Sequence, residues 1–382
     1  MTTTGRGVGQ DYLTIPEKLA LVSWPFMLLL TAIATIGFVC LYSAGGGIEP
    51  WMGKQLLRFL LGLVGIVIVA LIDIRIWMRA AYPVYALCIL LLIYVDIRGH
   101  IGMGAQRWIN LGFLQLQPSE VMKIAVVMAL ARFFHASTAE DVKNPMFLIV
   151  PLALTALPVM LVLAQPDLGT AMTIVILSGS ILFMAGVSYW MFGVALAVAL
   201  AILPIAWHFL YDYQKRRILV FMNPESDPLG SGYHIAQSKI AIGSGGITGK
   251  GFLQGSQSSL DFLPEKQTDF IFTLFAEEWG LIGGLVLMTL FAMTIAYGYF
   301  TALSCQNQFG RLLAIGVVMN FFVYLFINMG MVMGLLPVVG VPLPMISYGG
   351  TAMLSVMFGF GLLMSTRVHR DVKFSRRGLY VA

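Results

Sequence analysis

Long apolar segments recur along this chain from its beginning to its end, and they constrain its fold more than any other feature. An apolar run of about 18 residues or more can cross a membrane as a helix, because a helix satisfies its own backbone hydrogen bonds in lipid. Since 59% of the 382 residues are hydrophobic and 11% are charged, little polar surface remains to cover a soluble fold. We therefore predict an all-α polytopic membrane protein with about ten transmembrane helices. The predicted spans are roughly Leu19–Ala44, Leu56–Ile72, Ala81–Val95, Ser119–Phe134, Met146–Ala164, Leu168–Val187, Trp190–Leu210, Phe270–Phe300, Leu312–Leu336 and Thr351–Thr366.

Lysine and arginine residues set the predicted orientation, because the cytoplasmic loops of membrane proteins carry more of them than the outer loops do. With both termini in the cytoplasm, most basic residues of the short loops lie on the inner side, among them Arg75, Arg79 and Arg132. The long segment 211–268, between the seventh and eighth spans, then faces outward. Its six basic residues weaken the contrast, but the rule counts mainly short loops.

The chain is predicted to form one membrane domain over residues 1–382, with tails at both ends. A cytoplasmic tail covers 1–18, the large extracytoplasmic loop covers 211–268, and a basic cytoplasmic tail covers 367–382. The net charge of +5 indicates contact with anionic membrane lipid and requires no nucleic-acid partner. Cys40 and Cys88 lie inside predicted spans and Cys305 faces the cytoplasm, so no disulfide is expected.

Charged residues concentrate between Tyr211 and Asp269, where twelve of them flank a glycine-rich run. Unstructured loops of this length are usually functional or disordered. This loop also contains apolar and aromatic residues, which predicts that it folds against the helical bundle. Because the chain has few charges elsewhere, we expect its chemistry in this segment.

Asp269 stands where this loop enters the eighth span. One interpretation is that Thr268 or Asp269 only caps the helix, since such side chains satisfy free backbone N–H groups there. The other is that Asp269 is a general base at the rim of an apolar cavity, because partial desolvation raises the pKa of a carboxylate toward neutral pH. The local sequence does not separate the two.

Four further charged residues fall inside predicted spans, where such residues are costly and usually face the protein interior or a watery cavity. Glu277 and Glu278 are adjacent, about 100° apart on a helix, so both cannot face one partner; one is expected to pair with a base and the other to face water. Glu120 and Lys123 form an i,i+3 pair, which either locks two helices together or forms the polar floor of a lipid-headgroup pocket.

Several outer-loop residues could bind an anionic sugar substrate. Arg107 and Trp108 are adjacent, and Trp108 is either an interfacial anchor or a surface for a sugar ring beside a phosphate-binding arginine. Asp167 either caps a helix or binds a cation or a sugar. Arg216, Arg217 and Lys239 give the large loop an anion-binding character suited to a diphosphate.

The glycine-rich run, residues 243–251, superficially resembles a nucleotide-binding loop. A P-loop needs glycine where Ser244 stands, and serine or threonine where Gly251 follows the lysine. We therefore reject that interpretation and expect tight turns, with a phosphate cradle of backbone N–H groups as the less favoured alternative.

Taken together, these segments resemble the SEDS family of bacterial cell-wall polymerases, and within it the cell-elongation branch, RodA, more than the division branch, FtsW. The resemblance runs in matching order from the first predicted span to the last. The motifs that carry it are Gly104-Ala105-Gln106-Arg107-Trp108, Gln117-Pro118-Ser119-Glu120, Gln165-Pro166-Asp167-Leu168-Gly169, Asp227-Pro228-Leu229-Gly230-Ser231-Gly232-Tyr233-His234, Gln237-Ser238-Lys239-Ile240-Ala241-Ile242-Gly243-Ser244-Gly245-Gly246, Leu263-Pro264-Glu265, Thr268-Asp269-Phe270-Ile271-Phe272 and Val341-Pro342-Leu343-Pro344-Met345-Ile346-Ser347-Tyr348-Gly349-Gly350.

The resemblance implies a ten-span enzyme of the bacterial cytoplasmic (inner) membrane, a peptidoglycan glycosyltransferase that polymerises lipid II on the extracytoplasmic side during cell elongation. It implies that Asp269 matches the essential loop aspartate of the family. It further implies a class B penicillin-binding transpeptidase and other elongation-complex membrane proteins as partners, with help from a divalent cation, Mg or Mn. Trp108, Glu120, Lys123, Asp167 and Arg217 also fall on family motif positions. Gln267 stands where the family often has histidine, so no titrating role is expected there.

The reaction expected from this resemblance joins two lipid-linked sugars. The 4-hydroxyl of one lipid II attacks the anomeric carbon of the growing strand, and undecaprenyl diphosphate leaves. Asp269 is the expected base, while Arg107, Arg217 and Lys239 are expected to stabilise the leaving diphosphate. Two alternatives remain open: a flippase for the lipid-linked precursor, which charged residues within spans would also suit, and a scaffold without catalytic activity.

Overall fold

The computed structural model describes residues 14–102, 105–110, 112, 115–138, 140–209, 212–223, 227, 230–255 and 265–372. These residues form thirteen α-helices, two short 3₁₀ helices and three short strands. The helices are α1 (Ile15–Leu21), α2 (Trp24–Gly45), α3 (Met52–Leu71), α4 (Ile74–Arg98), α5 (Pro118–His135), α6 (Ile149–Ala164), α7 (Leu168–Met184), α8 (Tyr189–Phe209), α9 (Asp212–Met222), α10 (Ser231–Ser244), α11 (Ile271–Ser304), α12 (Gln308–Val332) and α13 (Gly350–Val368). The 3₁₀ helices are Asp141–Lys143 and Pro145–Leu148, and the strands are β1 (His100–Gly102), β2 (Ala105–Asn110) and β3 (Gln115–Leu116).

Each of the ten predicted spans overlaps one of these helices. Seven segments are long and apolar enough to cross a membrane: α2, α3, α4, α6 with the 3₁₀ turn before it, α11, α12 and α13. Of the other three, α5 carries three charged residues, α7 has 17 residues, and α8 has a shorter apolar stretch, Tyr189–Ile202. The membrane-protein prediction is therefore confirmed in its coarse form.

The centre of the bundle is formed by α5, α12 and α13, whose residues are buried on nearly every side. These helices approach closely because glycine occupies their contact faces, as is common in membrane bundles. A Cβ atom at Gly316 of α12 would lie 2.4 Å from the Cγ1 atom of Val127 on α5. The core is thus built by close backbone approach around the helices that carry the buried charges.

A small antiparallel sheet, in the order β1-β2-β3, lies in the chain between α4 and α5. It is an exception to the all-α prediction, which did not anticipate strands in this outer loop. The sheet places Arg107 and Trp108 on β2, with Trp108 opposite His100 in the register.

The loop between the seventh and eighth predicted spans contains two helices, α9 and α10. The predicted short helix at Tyr233–Ala241 is confirmed as part of α10. This helix is fixed to the bundle: the Ser238 hydroxyl donates to the Val332 carbonyl at 2.8 Å and hydrogen-bonds the Thr273 hydroxyl at 2.7 Å. The described part of the loop is therefore folded against the bundle, as predicted.

The long helix α11 is broken, although the sequence predicted one continuous span from Phe270 to Phe300. At Gly280 the backbone has φ 63° and ψ −161°, which is not helical. The lower part, Leu281–Ser304, is about 36 Å long at 1.5 Å per residue, enough to cross a hydrocarbon core of about 30 Å. The upper part, Ile271–Trp279, is therefore not needed for the crossing and forms a separate short segment before the break.

Candidate active site

Asp269 lies in the turn that precedes α11, and it is not the residue that caps this helix. The N-cap of α11 is Phe270, which makes no side-chain capping bond. The hydroxyl of Thr268 bonds within the turn, to the carbonyl and carboxylate of Glu265 at 3.2 and 3.0 Å. The capping interpretation of Thr268 and Asp269 is therefore wrong, which leaves the Asp269 carboxylate available for another role.

The environment of Asp269 raises the pKa of its carboxyl to about 6. Burial is the main cause, because it disfavours the charged form, and the nearby Glu265 carboxylate adds to it. The Arg217 guanidinium opposes both by favouring the anion. At neutral pH this carboxylate is ionised and is a stronger base than an exposed aspartate.

The backbone around Asp269 is held by residues from α12 and from the chain that follows it. The Asn328 side-chain amide donates to the carbonyl of Asp269 at 3.0 Å and to that of Val341 at 2.8 Å. The Ser347 hydroxyl donates to the carbonyl of Thr268 at 2.5 Å. These contacts join the turn to the 333–349 segment as one rigid unit.

The carboxylate itself lies against bare backbone. A Cβ atom at Gly340 would be 3.5 Å from Asp269 Oδ2, and Gly340 has φ +75°, a conformation that favours glycine. The segment from α12 to α13 thus passes beside the carboxylate without a side chain at that point.

A small cavity of about 30 Å³, with both polar and apolar residues in its wall, lies close to the segment that passes Asp269. Arg217, which acts electrostatically on Asp269, lines it, and so does Val339, which precedes Gly340. The lining residues are Arg107, Pro166, Asp167, Leu168, Gly169, Gln214, Arg217, Ile218, Pro337 and Val339. Three predicted site residues from distant parts of the chain, Arg107, Asp167 and Arg217, are therefore brought together.

Arg107 and Asp167 lie close together and both hold the turn that leads into α7. The Arg107 guanidinium donates to the Gln165 carbonyl at 3.1 Å and to the Pro166 carbonyl, and it lies 3.8 Å from Asp167 Oδ2. Asp167 caps α7, since its Oδ1 accepts from the backbone N–H of Thr170 at 3.1 Å. The capping interpretation of Asp167 is confirmed, and it coexists with a position on the cavity wall.

Glu120 and Lys123 lie in the closed interior, apart from the residues that line the cavity. Their ion pair is 2.7 Å long, and both side chains are almost fully buried. Tyr324 of α12 joins them: Lys123 Nζ donates to its hydroxyl, which donates to Glu120 Oε2. These contacts show the predicted lock between two helices. A role for the pair in binding substrate stays a prediction.

The remaining predicted residues are placed around the same outer region. Trp108 is half-buried on β2. Lys239 of α10 is exposed, and its Nζ would be 2.7 Å from a Cβ atom at Gly334, just after α12. Their roles as substrate contacts stay predictions.

The prediction that one glutamate of α11 pairs with a base and the other faces water is only half correct. Glu277 pairs with Lys250 at 2.7 Å, as expected for one of them. Glu278 does not face water: it is 2% exposed, and its Oε1 accepts from the Ser43 hydroxyl and from the Leu253 backbone N–H at 3.2 Å. Both acids therefore fix neighbouring chain segments to α11.

The glycine-rich run forms turns, as favoured from the sequence. The phosphate-cradle alternative fails at its end, because the N–H groups of Lys250 and Gly251 donate to the carbonyls of Glu277 and Glu278, each at 3.0 Å. Those groups are occupied by protein and cannot also surround a phosphate.

Sequence reasoning missed Asn328, Ser347 and Tyr324. Asn328 and Tyr324 carry a usable signal, since each is a polar group within a long apolar helix, where polar side chains need partners. Ser347 belongs to a motif that carries the family resemblance, but a serine in a loop gives no sign of the hydrogen bond that it makes.

Comparison with known proteins places these features in a family context. The family model for FtsW, RodA and SpoVE, described as cell cycle protein, matches residues 23–372. The peptidoglycan glycosyltransferase MrdB of Escherichia coli (strain K12) is 46% identical over 348 residues, which cover 91% of this chain and 93% of that relative.

Two solved structures share the fold over nearly their whole length. A chain from a peptidoglycan synthase complex that coordinates polymerization and crosslinking has a TM-score of 0.80 and 30% identity, and the match covers 91% of this chain and 98% of that one. The crystal structure of the rod shape determining protein RodA of Thermus thermophilus has a TM-score of 0.70 and 28% identity, with coverages of 92% and 98%.

Proposed function

This chain belongs to the FtsW/RodA/SpoVE family and is a peptidoglycan glycosyltransferase of the RodA type, and we propose that Asp269 is the general base of its reaction. It is a multi-pass protein of the bacterial inner membrane. The observation that carries the proposal is a carboxylate with a raised pKa that interacts electrostatically with Arg217, which lines a cavity together with Arg107.

The proposed substrate is lipid II, and the reaction is a direct displacement at the anomeric carbon of the growing strand. The acceptor 4-hydroxyl forms the new C–O bond while its proton passes to the Asp269 carboxylate. The bond between the anomeric carbon and the diphosphate oxygen breaks, and undecaprenyl diphosphate leaves with the electron pair. A single displacement of this kind converts an α-linked donor into a β-linked product.

The raised pKa suits Asp269 to this step. A sugar hydroxyl is a weak nucleophile, and a positioned base typically contributes about 10²–10⁴ in rate when its pKa lies near the working pH. With a pKa of about 6, Asp269 is ionised at neutral pH and still accepts a proton more readily than an exposed aspartate does.

The cavity supports a role in binding the anionic part of the substrate. Arg107 and Arg217 line it, and arginine binds phosphate oxygens through a planar set of N–H donors. We assign them to the leaving diphosphate. Lys239 and Trp108 are proposed to contact the headgroup from α10 and β2, and the buried pair of Glu120 and Lys123 to support the substrate pocket from the bundle interior.

A divalent cation, Mg or Mn, is proposed to assist. Among residues whose positions are described, no three metal-ligating side chains cluster, so a cage made wholly of protein ligands is not offered there. Mg²⁺ commonly binds one or two carboxylates together with substrate phosphates, and Asp167 is a carboxylate on the cavity wall. A cation held there would neutralise charge on the diphosphate.

The proposed membrane arrangement has ten spans in one domain, both termini in the cytoplasm and the Asp269 site on the extracytoplasmic side. The proposed partners are a class B penicillin-binding transpeptidase and other membrane proteins of the elongation complex. The similarity to a chain from a peptidoglycan synthase complex supports a partner that crosslinks the polymer.

The test is polymerisation of lipid II by the purified protein with Asp269→Asn. The variant keeps the shape of the side chain and loses its basicity, so we expect a loss of about 10²-fold or more. Asp371→Asn, at an exposed aspartate beside Arg370, is the matched control and should retain the parental rate. Polymer formation by Asp269→Asn at the parental rate would remove Asp269 from the role of base.

A further inference from the structure

The break in α11 leaves backbone groups that need partners. A continuous helix would satisfy the carbonyls of Glu277 and Glu278 from residues four positions later. It would equally satisfy the N–H groups of Leu281 and Ile282 from residues four positions earlier. The non-helical backbone at Gly280 removes these bonds, and unpaired backbone groups in a buried place are costly.

The glycine-rich strap, which we define as residues 245–254, supplies the missing partners on both sides of the break. It donates two backbone hydrogen bonds to the upper part of α11 and accepts two from the lower part. These bonds are Lys250 N–H to the Glu277 carbonyl (3.0 Å), Gly251 N–H to the Glu278 carbonyl (3.0 Å), Leu281 N–H to the Gly246 carbonyl (3.0 Å) and Ile282 N–H to the Ile247 carbonyl (3.1 Å).

The strap fits against α11 so closely that side chains are excluded at its contact points. A Cβ atom at Gly245 would lie 2.2 Å from the Ala276 carbonyl oxygen, and one at Gly249 would lie 2.1 Å from that of Glu278. A Cβ atom at Gly280 would lie 2.3 Å from the backbone nitrogen of Gly249. The glycines are therefore explained by backbone-to-backbone packing.

Side chains tie the same strap to two helices. Lys250 pairs with the fully buried Glu277 of α11. Glu278 accepts from the backbone of Leu253 in the strap and from the Ser43 hydroxyl at the end of α2. The upper part of α11 is thus held by the strap on one side and, through Glu278, by α2.

We propose that the glycine-rich strap is a positioning element that locks the Gly280 break and so fixes the upper part of α11, with Asp269 at its start. The inference rests on the proposed role of Asp269 as general base. The upper part of α11 is about 14 Å long, so a rotation of about 10° at Gly280 would displace Asp269 by about 2 Å. A misplacement of about 1 Å can cost about 100-fold in rate.

The first test compares Gly245→Ala with Gly243→Ala. Gly245 has an ordinary helical backbone, so alanine there adds only the clash with Ala276, whereas a Cβ atom at Gly243 meets nothing within 4 Å. We expect Gly245→Ala to lower kcat about 10-fold or more with little change in KM, because the base moves while the cavity remains. Gly243→Ala should match the parent. A folded Gly245→Ala protein with parental kcat overturns the proposal.

The second test covers the case in which Gly245→Ala does not fold. Lys250→Glu and Glu277→Lys each break the ion pair, and the double variant restores it with reversed sign. Each single variant should lose kcat, and the double variant should recover most of it. Parental kcat in either single variant, or a double variant no better than the singles, overturns the proposal.

The pH profile separates positioning from general damage. Asp269 faces Glu265 in its own turn and Arg217 of α9, and Lys239 of α10 stands near the same segment after α12. If the part of α11 before the break is released, Asp269 becomes more hydrated. The acid limb of kcat should then move to lower pH in Gly245→Ala and in the single variants Lys250→Glu and Glu277→Lys, and should lie at the parental position in the double variant. An unmoved acid limb in a variant that has lost kcat assigns the strap a merely structural role and overturns the proposal.

The activity of Asp269→Asn distinguishes a failure of the proposed base from a failure of the strap inference. If Asp269→Asn keeps parental activity, the proposed base is wrong. If it loses activity while Gly245→Ala keeps it, the base stands and the strap inference alone fails.

Discussion

At the scale of single residues, the electrostatics of Asp269 depend on two neighbours that act in opposite directions. Glu265 raises its pKa and Arg217 lowers it, on top of the larger effect of burial. A general base works only when deprotonated, so the activity it supports is present above its pKa and is lost as the pH falls through it. The site therefore predicts an acid limb near pH 6.

We expect this acid limb to shift oppositely in two variants. Arg217→Gln removes the cation that favours the anion, so the limb should move to higher pH, whereas Glu265→Gln should move it to lower pH. The measurement is the initial rate of lipid II polymerisation against pH. Arg216→Gln is the matched control, since the Arg216 side chain is mostly exposed and pairs with Asp227. Shifts in the same direction would contradict this account of the pKa.

A second prediction concerns Asn328, which holds the backbone of Asp269. Asn328→Ala leaves two carbonyls of the site without their donor, and a buried unsatisfied group costs about 1–3 kcal/mol. We expect a lower midpoint of thermal unfolding in detergent together with reduced kcat. Asn110→Ala, at an exposed asparagine of β2, should change neither. Parental kcat in Asn328→Ala would show that the hydrogen bonds of Asn328 do not position the base.

At the scale of helices, the central contact between α5 and α12 predicts a steric effect. Gly316→Ala places a methyl group 2.4 Å from Val127 of α5, and overpacking of this kind typically costs about 1–3 kcal/mol. Gly179→Ala, in α7, meets nothing within 4 Å and should be neutral or stabilising by up to about 1 kcal/mol. The check is thermal unfolding of both variants in one detergent. Equal midpoints for the two would contradict the close packing.

Helix positions were predictable from the sequence because long apolar runs are typical of helices within a membrane, whether they contact lipid or other helices. The break at Gly280 was not predictable, since a glycine within an apolar run looks the same whether the helix continues or ends. What distinguishes it is the strap, more than twenty residues earlier in the chain, whose backbone supplies the missing hydrogen bonds. Such long-range backbone pairing leaves no periodic signal in a single sequence.

The charged residues of the site were predictable from the sequence, and the residues that hold its backbone in place were less so. Asp269 and Asp167 stood out as carboxylates at predicted helix starts, and Arg107 and Arg217 as basic residues of outer loops. The structure brings all four to one region. The Ser347 contact depends on the path of a loop between helices. Its role follows from tertiary packing, which residue type alone does not encode.

At the scale of the whole molecule, the proposed reaction depends on which side of the membrane each part of the chain faces. The basic residues of the short loops predict that both termini lie inside and the 211–268 loop outside. The lower part of α11 then spans the membrane, with the strap at its outer end and Gln306 just beyond its inner end. Opposite sidedness for the strap and Gln306 is therefore a requirement of the proposed chemistry, because an enzyme that polymerises lipid II outside needs Asp269 outside.

We expect Thr248→Cys in the strap to react with a membrane-impermeant maleimide added to intact spheroplasts. Gln306→Cys, after α11, should react only once the membrane is permeabilised. Thr248 and Gln306 are both exposed, and the native cysteines Cys40, Cys88 and Cys305 are buried, which keeps background labelling low. Each variant serves as the other's control, since they report from opposite ends of one spanning helix. Labelling of Gln306→Cys from outside, with Thr248→Cys protected until permeabilisation, would place Asp269 in the cytoplasm and contradict the proposed orientation of the active site.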